Sequence, residues 1–174
     1  YMGYRTPKGQ IIGEWLGRKE TQFPNDFGIF SSATTTENDV VLQQGRKLLH
    51  GLDLYGINQP EFKYDYRDGK FKLMEINLRS MMWNRVGHLS GINLHHLQWQ
   101  HAKGILPNER DYKKQKKEFL FMYFKHELIG LLFRKKYFKT YFLRLIKQYD
   151  KIYFAVFDKT DLKPFIFDIY KTLK

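Results

Sequence analysis

The sequence predicts an α+β fold, an antiparallel sheet with helices on one side and a helical, basic C-terminal appendage. Three observations predict it. Residues 1–104 contain twelve of the 13 glycines and read as strands, turns and helices in mixture. Residues 105–174 are rich in Lys and aromatics and read mostly as helix. Between them, Gly104-Ile105-Leu106-Pro107-Asn108 places glycine and proline where a chain is punctuated. The expected domains are therefore 1–104, a mixed sheet-and-helix body, and 105–174, a mostly helical appendage packed on it.

In chain order, Tyr1–Tyr4 and Gln10–Lys19 read as two strands joined by the turn Thr6-Pro7-Lys8-Gly9. A loop through Phe23-Pro24-Asn25-Asp26-Phe27-Gly28 follows. Thr36 can cap a helix over Glu37–Leu52, with Glu37 and Asp39 in its first turn and Val41, Leu48 and Leu52 on one face. A hairpin spans Gln59–Tyr66 and Lys70–Arg79. Two short helices are expected near Asn84–Ser90 and Asn93–Lys103, split by Gly91. The tail predicts long helices between Asp111 and Tyr149, a strand at Ile152–Phe157 and a last helix beginning at Pro164.

Composition narrows the function. With 43% hydrophobic and 17% aromatic residues, the chain has the means to bury a core. It contains no cysteine, which excludes disulfides, thiol catalysis and cysteine-ligated metals. No apolar run of membrane-spanning length and no secretory leader is legible, and a cytoplasmic location is expected. The net charge of +12 is uneven: residues 1–102 carry 12 Lys/Arg against 10 Asp/Glu, and residues 103–174 carry 18 against 8. A basic tail attracts polyanions or anionic lipid, or simply forms the wet face of packed helices.

The hairpin carries the chemistry. Phe62 and Tyr64 alternate with Glu61, Lys63 and Asp65, and Met74, Ile76 and Leu78 alternate with Glu75, Asn77 and Arg79. A two-residue Asp68-Gly69 turn would put Glu61 among apolar side chains. A three-residue Arg67-Asp68-Gly69 loop instead sets Glu61 opposite Glu75, with Asn77 next on the same face. Two facing carboxylates and an amide carbonyl are hard oxygen ligands suited to Mg²⁺, which completes its shell with water and phosphates. The plain alternative is a solvated charged face with Glu61 paired to Lys63 or Lys72.

The stretch from Glu61 to Arg79, an acid on one strand and Glu75-Ile76-Asn77-Leu78-Arg79 on its partner, resembles the closing motif of ATP-grasp enzymes, most nearly their carboxylate–amine ligase branch. Gly17-Arg18-Lys19, Phe23-Pro24, Phe27-Gly28, Gly91-Ile92-Asn93-Leu94 and the ending from Val156 to Phe165 are similar to that branch too. The resemblance implies an ATP-grasp C-terminal subdomain over 1–104, ATP and Mg²⁺ as cofactors, and an amide bond made through an acyl phosphate. It implies Glu61, Glu75 and Asn77 as magnesium ligands, Arg79 and Arg18 as catalytic cations, and Lys19, Arg79 and Glu75 as cofactor-binding groups. The expected partners are ATP and small carboxylate and amine substrates. Nucleic acid is not expected, weak membrane-surface contact through the tail and a homo-oligomer stay open. No counterpart of that family's N-terminal ATP-binding half is legible, so the chain is expected to be a fragment that does not turn over alone. A basic nucleic-acid-binding module and a non-catalytic remnant are the rival readings. Of the histidines, His95 and His101 fall on different helical faces, against a zinc site, while Trp83, Asn84, Gly28 and Ser31-Ser32 are candidate pocket or core residues.

Overall fold

The protein is described by a computed structural model covering residues 1–24, 28–105 and 119–173, with backbone alone at 172 and 173. It is α+β, with two four-stranded sheets and six α-helices among the described residues. The chain forms two compact units, one of Tyr1–Gly17 and the described part of Thr35–Lys117, the other of Arg18–Thr34 and the described part of Glu118–Lys174. The division therefore does not run at Gly104. Strands from 18–34 join the C-terminal segment, because sheet pairing between residues ninety apart outweighs chain proximity.

The first unit is built on an antiparallel sheet in the order β2-β1-β5-β6, with β1 at Met2–Arg5, β2 at Ile11–Trp15, β5 at Gly56–Asp65 and β6 at Lys70–Asn77. At the turn between β1 and β2, the Gly9 amide donates to Thr6 O at 2.9 Å with Gly9 at φ 88°, a conformation that favours glycine. Helix α1, Asp39–Gly51, starts later than Thr36 would allow: the Asn38 side chain accepts from the Val41 amide at 3.0 Å and is the cap. Thr36 N is spent on Leu16 O at 3.1 Å.

Helices cover both faces of this sheet, not the one face expected. Gly3 pairs with Glu14 and with Asn58, so these share a face, and on it Arg46 of α1 grips Glu14 while Leu49 packs in a cluster with Val41, Leu42 and Phe62. Tyr4 pairs with Gly13 and Ile57 on the other face. There Tyr4 Oη lies 2.7 Å from His101 Nδ1 of α3, Leu94–Ala102. A Cβ on Gly13 would lie 2.4 Å from Leu97, so that helix sits directly on the strand. The reason is in β1, all four of whose residues are buried and which therefore needs cover on both sides. Helix α2, Arg85–Leu89, is so close to Trp15 that a Cβ on Gly87 would fall 2.3 Å from the indole nitrogen.

The second unit holds the sheet β3-β4-β7-β8, with β3 at Gly17–Phe23, β4 at Ile29–Thr35, β7 at Leu120–Met122 and β8 at Ile152–Phe154. β4 and β7 are antiparallel, and β7 and β8 are parallel. The described part of the tail is mostly helical, as expected, but it also contributes two strands: β7 lies where helix was expected, and β8 is shorter than Ile152–Phe157. Leu120, Met122, Leu145 and Tyr149 form its core. Helix α4 runs Phe124–Phe133, a π-helical turn Phe138–Phe142 leads into α5 at Leu143–Gln148, and α6 spans Lys163–Leu173 with Pro164 in its first turn. The expected Asp111 helix start and the loop residues Asn25–Phe27 lie outside the described residues. No helix among the described residues is long and apolar enough to cross a membrane.

One acid is buried in this unit. Glu127 is 1% exposed and accepts hydrogen bonds from Thr21 Oγ1 at 2.6 Å and Tyr137 Oη at 2.9 Å. Burial pushes its carboxyl above the ordinary glutamate value, against the opposing pull of those hydroxyls and of Arg134.

Two outcomes follow. Gly87→Ala forces Trp15 off its seat and lowers unfolding free energy by about 1–3 kcal/mol in urea denaturation; an unchanged midpoint would contradict the packing described. For Glu127, the folded chain holds a proton that the unfolded chain releases, so stability falls as pH rises from the ordinary glutamate range through the raised value. The melting-temperature difference, Glu127→Gln minus wild type, therefore grows across that window and then levels off, whereas a pH-independent difference would be inconsistent with it.

Candidate functional site

The hairpin β5–β6 sets the geometry. Asp65 pairs with Lys70, Tyr64 with Phe71, Lys63 with Lys72 and Phe62 with Leu73. The connecting turn is therefore four residues, Tyr66–Gly69, rather than three, with Gly69 at φ 69°. The register then shifts between Phe62 and Glu61, and Met74 is the extra residue. Beyond this bulge Glu61 pairs with Glu75, Pro60 with Ile76 and Gln59 with Asn77. Glu61 and Glu75 therefore stand opposite each other across the ribbon, and Asn77 is the next residue on their face.

Alternation along β5 fixes which face that is. Phe62 packs in the Leu49 cluster on the α1 side, so Gln59 and Glu61 belong to the α3 side with Ile57. Glu61 is half-buried and Glu75 exposed. Asn77 Nδ2 donates to Glu75 Oε1 at 2.7 Å, which engages the amide nitrogen and leaves the carbonyl oxygen as that side chain's remaining polar atom. The plain alternative of a Lys72 partner is not what the chain does: Lys72 Nζ lies 3.0 Å from Asp65 and 2.8 Å from Asp68.

Gln59 was not legible as a candidate. It is 2% exposed, directly opposite Asn77, two residues before Glu61 on the same face, and its Oε1 has no hydrogen-bond partner. A buried amide oxygen left unpaired costs about 1–3 kcal/mol. The period-two pattern could have found it, since any polar residue two before Glu61 shares its face.

The remaining candidates are dispersed. Arg79 lies past the end of β6, is exposed, and donates from Nη1 to Ser80 O at 3.3 Å. Arg18 and Lys19 belong to the second unit. Arg18 is ion-paired with Glu20 at 2.6 Å, and Glu20 also accepts from Tyr149 Oη at 3.2 Å. Lys19 lines a cavity of about 220 Å³ together with Glu20, Thr21, Gln22, Arg134 and Tyr141, a lining of mixed charge. Ser32 is fully buried beside Thr21, 2.5 Å between hydroxyls, and Trp83 packs edge-on to Trp15 in the core. Asn84 is 9% exposed with an unpartnered Oδ1.

The three neighbouring histidines do three separate jobs. His95 Nε2 meets Ser80 Oγ, His96 stacks on Trp99 at 5.6 Å, and His101 bonds Tyr4. Among the described residues no three His, Asp or Glu side chains gather to hold a metal, so any cation at the hairpin would rest on two carboxylates and amide oxygens.

A larger cavity of about 1010 Å³ lies elsewhere in the first unit, around the edge strand β2 between α1 and α3. Part of its polar lining is committed to structure: Glu14 to Arg46, Asn38 to capping α1, Asn93 to capping α3. The hairpin acids have the stronger chemistry. Comparison with protein families, with curated proteins and with solved structures finds nothing that matches this chain.

Proposed function

We propose that the chain is the magnesium-holding C-terminal part of an ATP-grasp carboxylate–amine ligase, whose Glu61, Glu75 and Asn77 take one or two Mg²⁺ ions with the phosphates of ATP. The observation that carries the reading is the direct pairing of Glu61 with Glu75, with Asn77 on the same face. Two carboxylates about 4 Å apart repel by about 1 kcal/mol in water and several-fold more in a drier setting, and a cation between them reverses the sign. The orphaned Gln59 oxygen on that face fits the same cation, directly or through a bound water.

Magnesium held by Glu61, Glu75 and Asn77 would supply positive charge to neutralise phosphate there. The protein's own groups then do the following. Glu61 and Glu75 supply the negative charge that fixes the cation, and the Asn77 carbonyl supplies a neutral oxygen. Arg79 would offset charge on the phosphoryl group and the substrate carboxylate. A substrate carboxylate displaces ADP from the γ-phosphorus to give an acyl phosphate, and an amine displaces inorganic phosphate from the acyl carbon, losing a proton as the amide forms.

Mn²⁺ in place of Mg²⁺ gives a direct readout through water-proton relaxation, with and without ADP. The chain is expected to bind Mn²⁺ saturably, and Glu61→Gln and Glu75→Gln each to weaken it by roughly tenfold or more. Equal binding by wild type and Glu75→Gln would sink the reading. In any longer protein that carries this segment, ADP release with acid–amine pairs is expected to vanish in Glu75→Gln.

Gln59 gives an independent check. Removing an unpaired oxygen relieves its burial cost, so Gln59→Met should raise the stability of the metal-free chain by about 1 kcal/mol while weakening Mn²⁺ binding. Loss of stability with unchanged Mn²⁺ affinity would make Gln59 a purely structural residue.

A further inference from the structure

From Leu128 to Tyr149 the sequence has six Lys or Arg and no acid. In the structure this segment turns a corner at the end of α4. The chain reverses over Arg134–Tyr137, where the Tyr137 amide donates to Arg134 O at 3.2 Å and Lys136 takes the left-handed conformation at φ 63°.

The corner is firmly pinned from beneath. Tyr137 is 2% exposed, its hydroxyl is bonded to the buried Glu127, and its ring lies against Gly130 so closely that a Cβ there would be 2.9 Å away. Arg134 is drawn inward, with its guanidinium 4.4 Å from the Tyr137 ring centre and 5.9 Å from that of Tyr141. What remains on the outside is Leu132, 67% exposed, Phe133, 79% exposed, and Phe138, 50% exposed, interspersed with exposed Lys135, Lys136 and Lys139. Of the acids on either side in sequence, Glu127 is buried, and Asp150 is exposed but lies beyond the end of α5, eleven residues after Lys139.

We propose that this corner docks on an anionic lipid bilayer, with Leu132 and Phe133 entering the headgroup boundary and Lys135, Lys136 and Lys139 meeting the acidic headgroups. Two properties select that occupant. The lysine charge is complementary to anionic lipid. The apolar side chains beside it are a branched aliphatic and an aromatic, which a bilayer buries; a nucleic acid could stack on the phenyl ring but gives the leucine nothing. The same composition recurs on α6 of this unit, where Ile166, Phe167 and Tyr170 are exposed beside exposed Lys163 and Lys171. The proposal stands apart from the ligase reading, since none of its residues belongs to the hairpin.

The test is co-sedimentation of the 174-residue chain with vesicles of phosphatidylcholine alone or with about 30% phosphatidylserine, at about 50 and 300 mM salt. Binding is expected on the serine-containing vesicles at low salt, falling steeply at high salt, and weak on phosphatidylcholine alone. Lys135→Gln/Lys136→Gln/Lys139→Gln and Leu132→Ser/Phe133→Ser are each expected to reduce partitioning about tenfold or more, with circular dichroism unchanged. If the apolar pair misfolds the chain, the exposed lysine triple decides alone. No binding to the acidic vesicles overturns the proposal. So does binding unaffected by the corner variants but lost in Ile166→Ser/Phe167→Ser, which would move the surface to α6. Pelleting without vesicles, or competition by heparin with no lipid binding, overturns it in favour of self-association or a soluble polyanion.

Discussion

One extra residue in β6 decides which side chains meet at the base of the hairpin. Had the four-residue turn been followed by a regular ladder, Glu61 would face Met74, and Glu75 would fall opposite Pro60 on the side of Phe62. The bulge at Met74 turns the far half of the strand over. It delivers Ile76 to the Pro60 side and, in the same movement, Glu75 and Asn77 to the side of Glu61. Apolar burial is a sufficient driving force. Covering an Ile side chain is worth about 1.5–3 kcal/mol when complete, against about 1 kcal/mol of repulsion between two largely wet carboxylates. The sheet can therefore hold two acids on one face with no cation present. It also means that the pairing by itself stabilises nothing, and the unpaired oxygen of Gln59 on the same face is a second sign beside it.

Much of the first unit was legible because its signals are local. Glycine at Gly9 and Gly69, alternation in β5 and β6, and periodicity in α1 depend on residues close in sequence. The Glu61–Glu75 pairing was reached from a shorter turn than the real one; two one-residue errors, the turn length and the missing bulge, cancel. A bulge has no composition of its own in this strand, since Met74 fits a regular strand as well. The helix cap was misplaced for a related reason: Thr36 and Asn38 are both good caps, and only the backbone, by using Thr36 N on Leu16, excludes the first.

The second unit hid its sheet because its pairings are remote. β7 is three residues long and flanked by Lys-rich sequence, and nothing near it announces that Ser32, Ala33 and Thr34 are its partners. Its parallel neighbour β8 comes thirty residues later. Glu127 was equally opaque, because an acid on an otherwise apolar helix looks like a solvated position until Thr21 and Tyr137 are seen to close over it.

The two units share a principle in how they place charge. In neither does an ion pair set the architecture. In the first, packing of the half-buried Phe62 against the Leu49 cluster sets the face of β5 that is left to Glu61. In the second, burial of Tyr137 draws Arg134 onto aromatic rings, while the left-handed turn at Lys136 keeps the adjoining lysines outside. Exposed ion pairs are worth little, about 0–1 kcal/mol, so they could not have imposed either arrangement. Apolar packing can, because covering a ring such as that of Tyr137 contributes more than an exposed ion pair does.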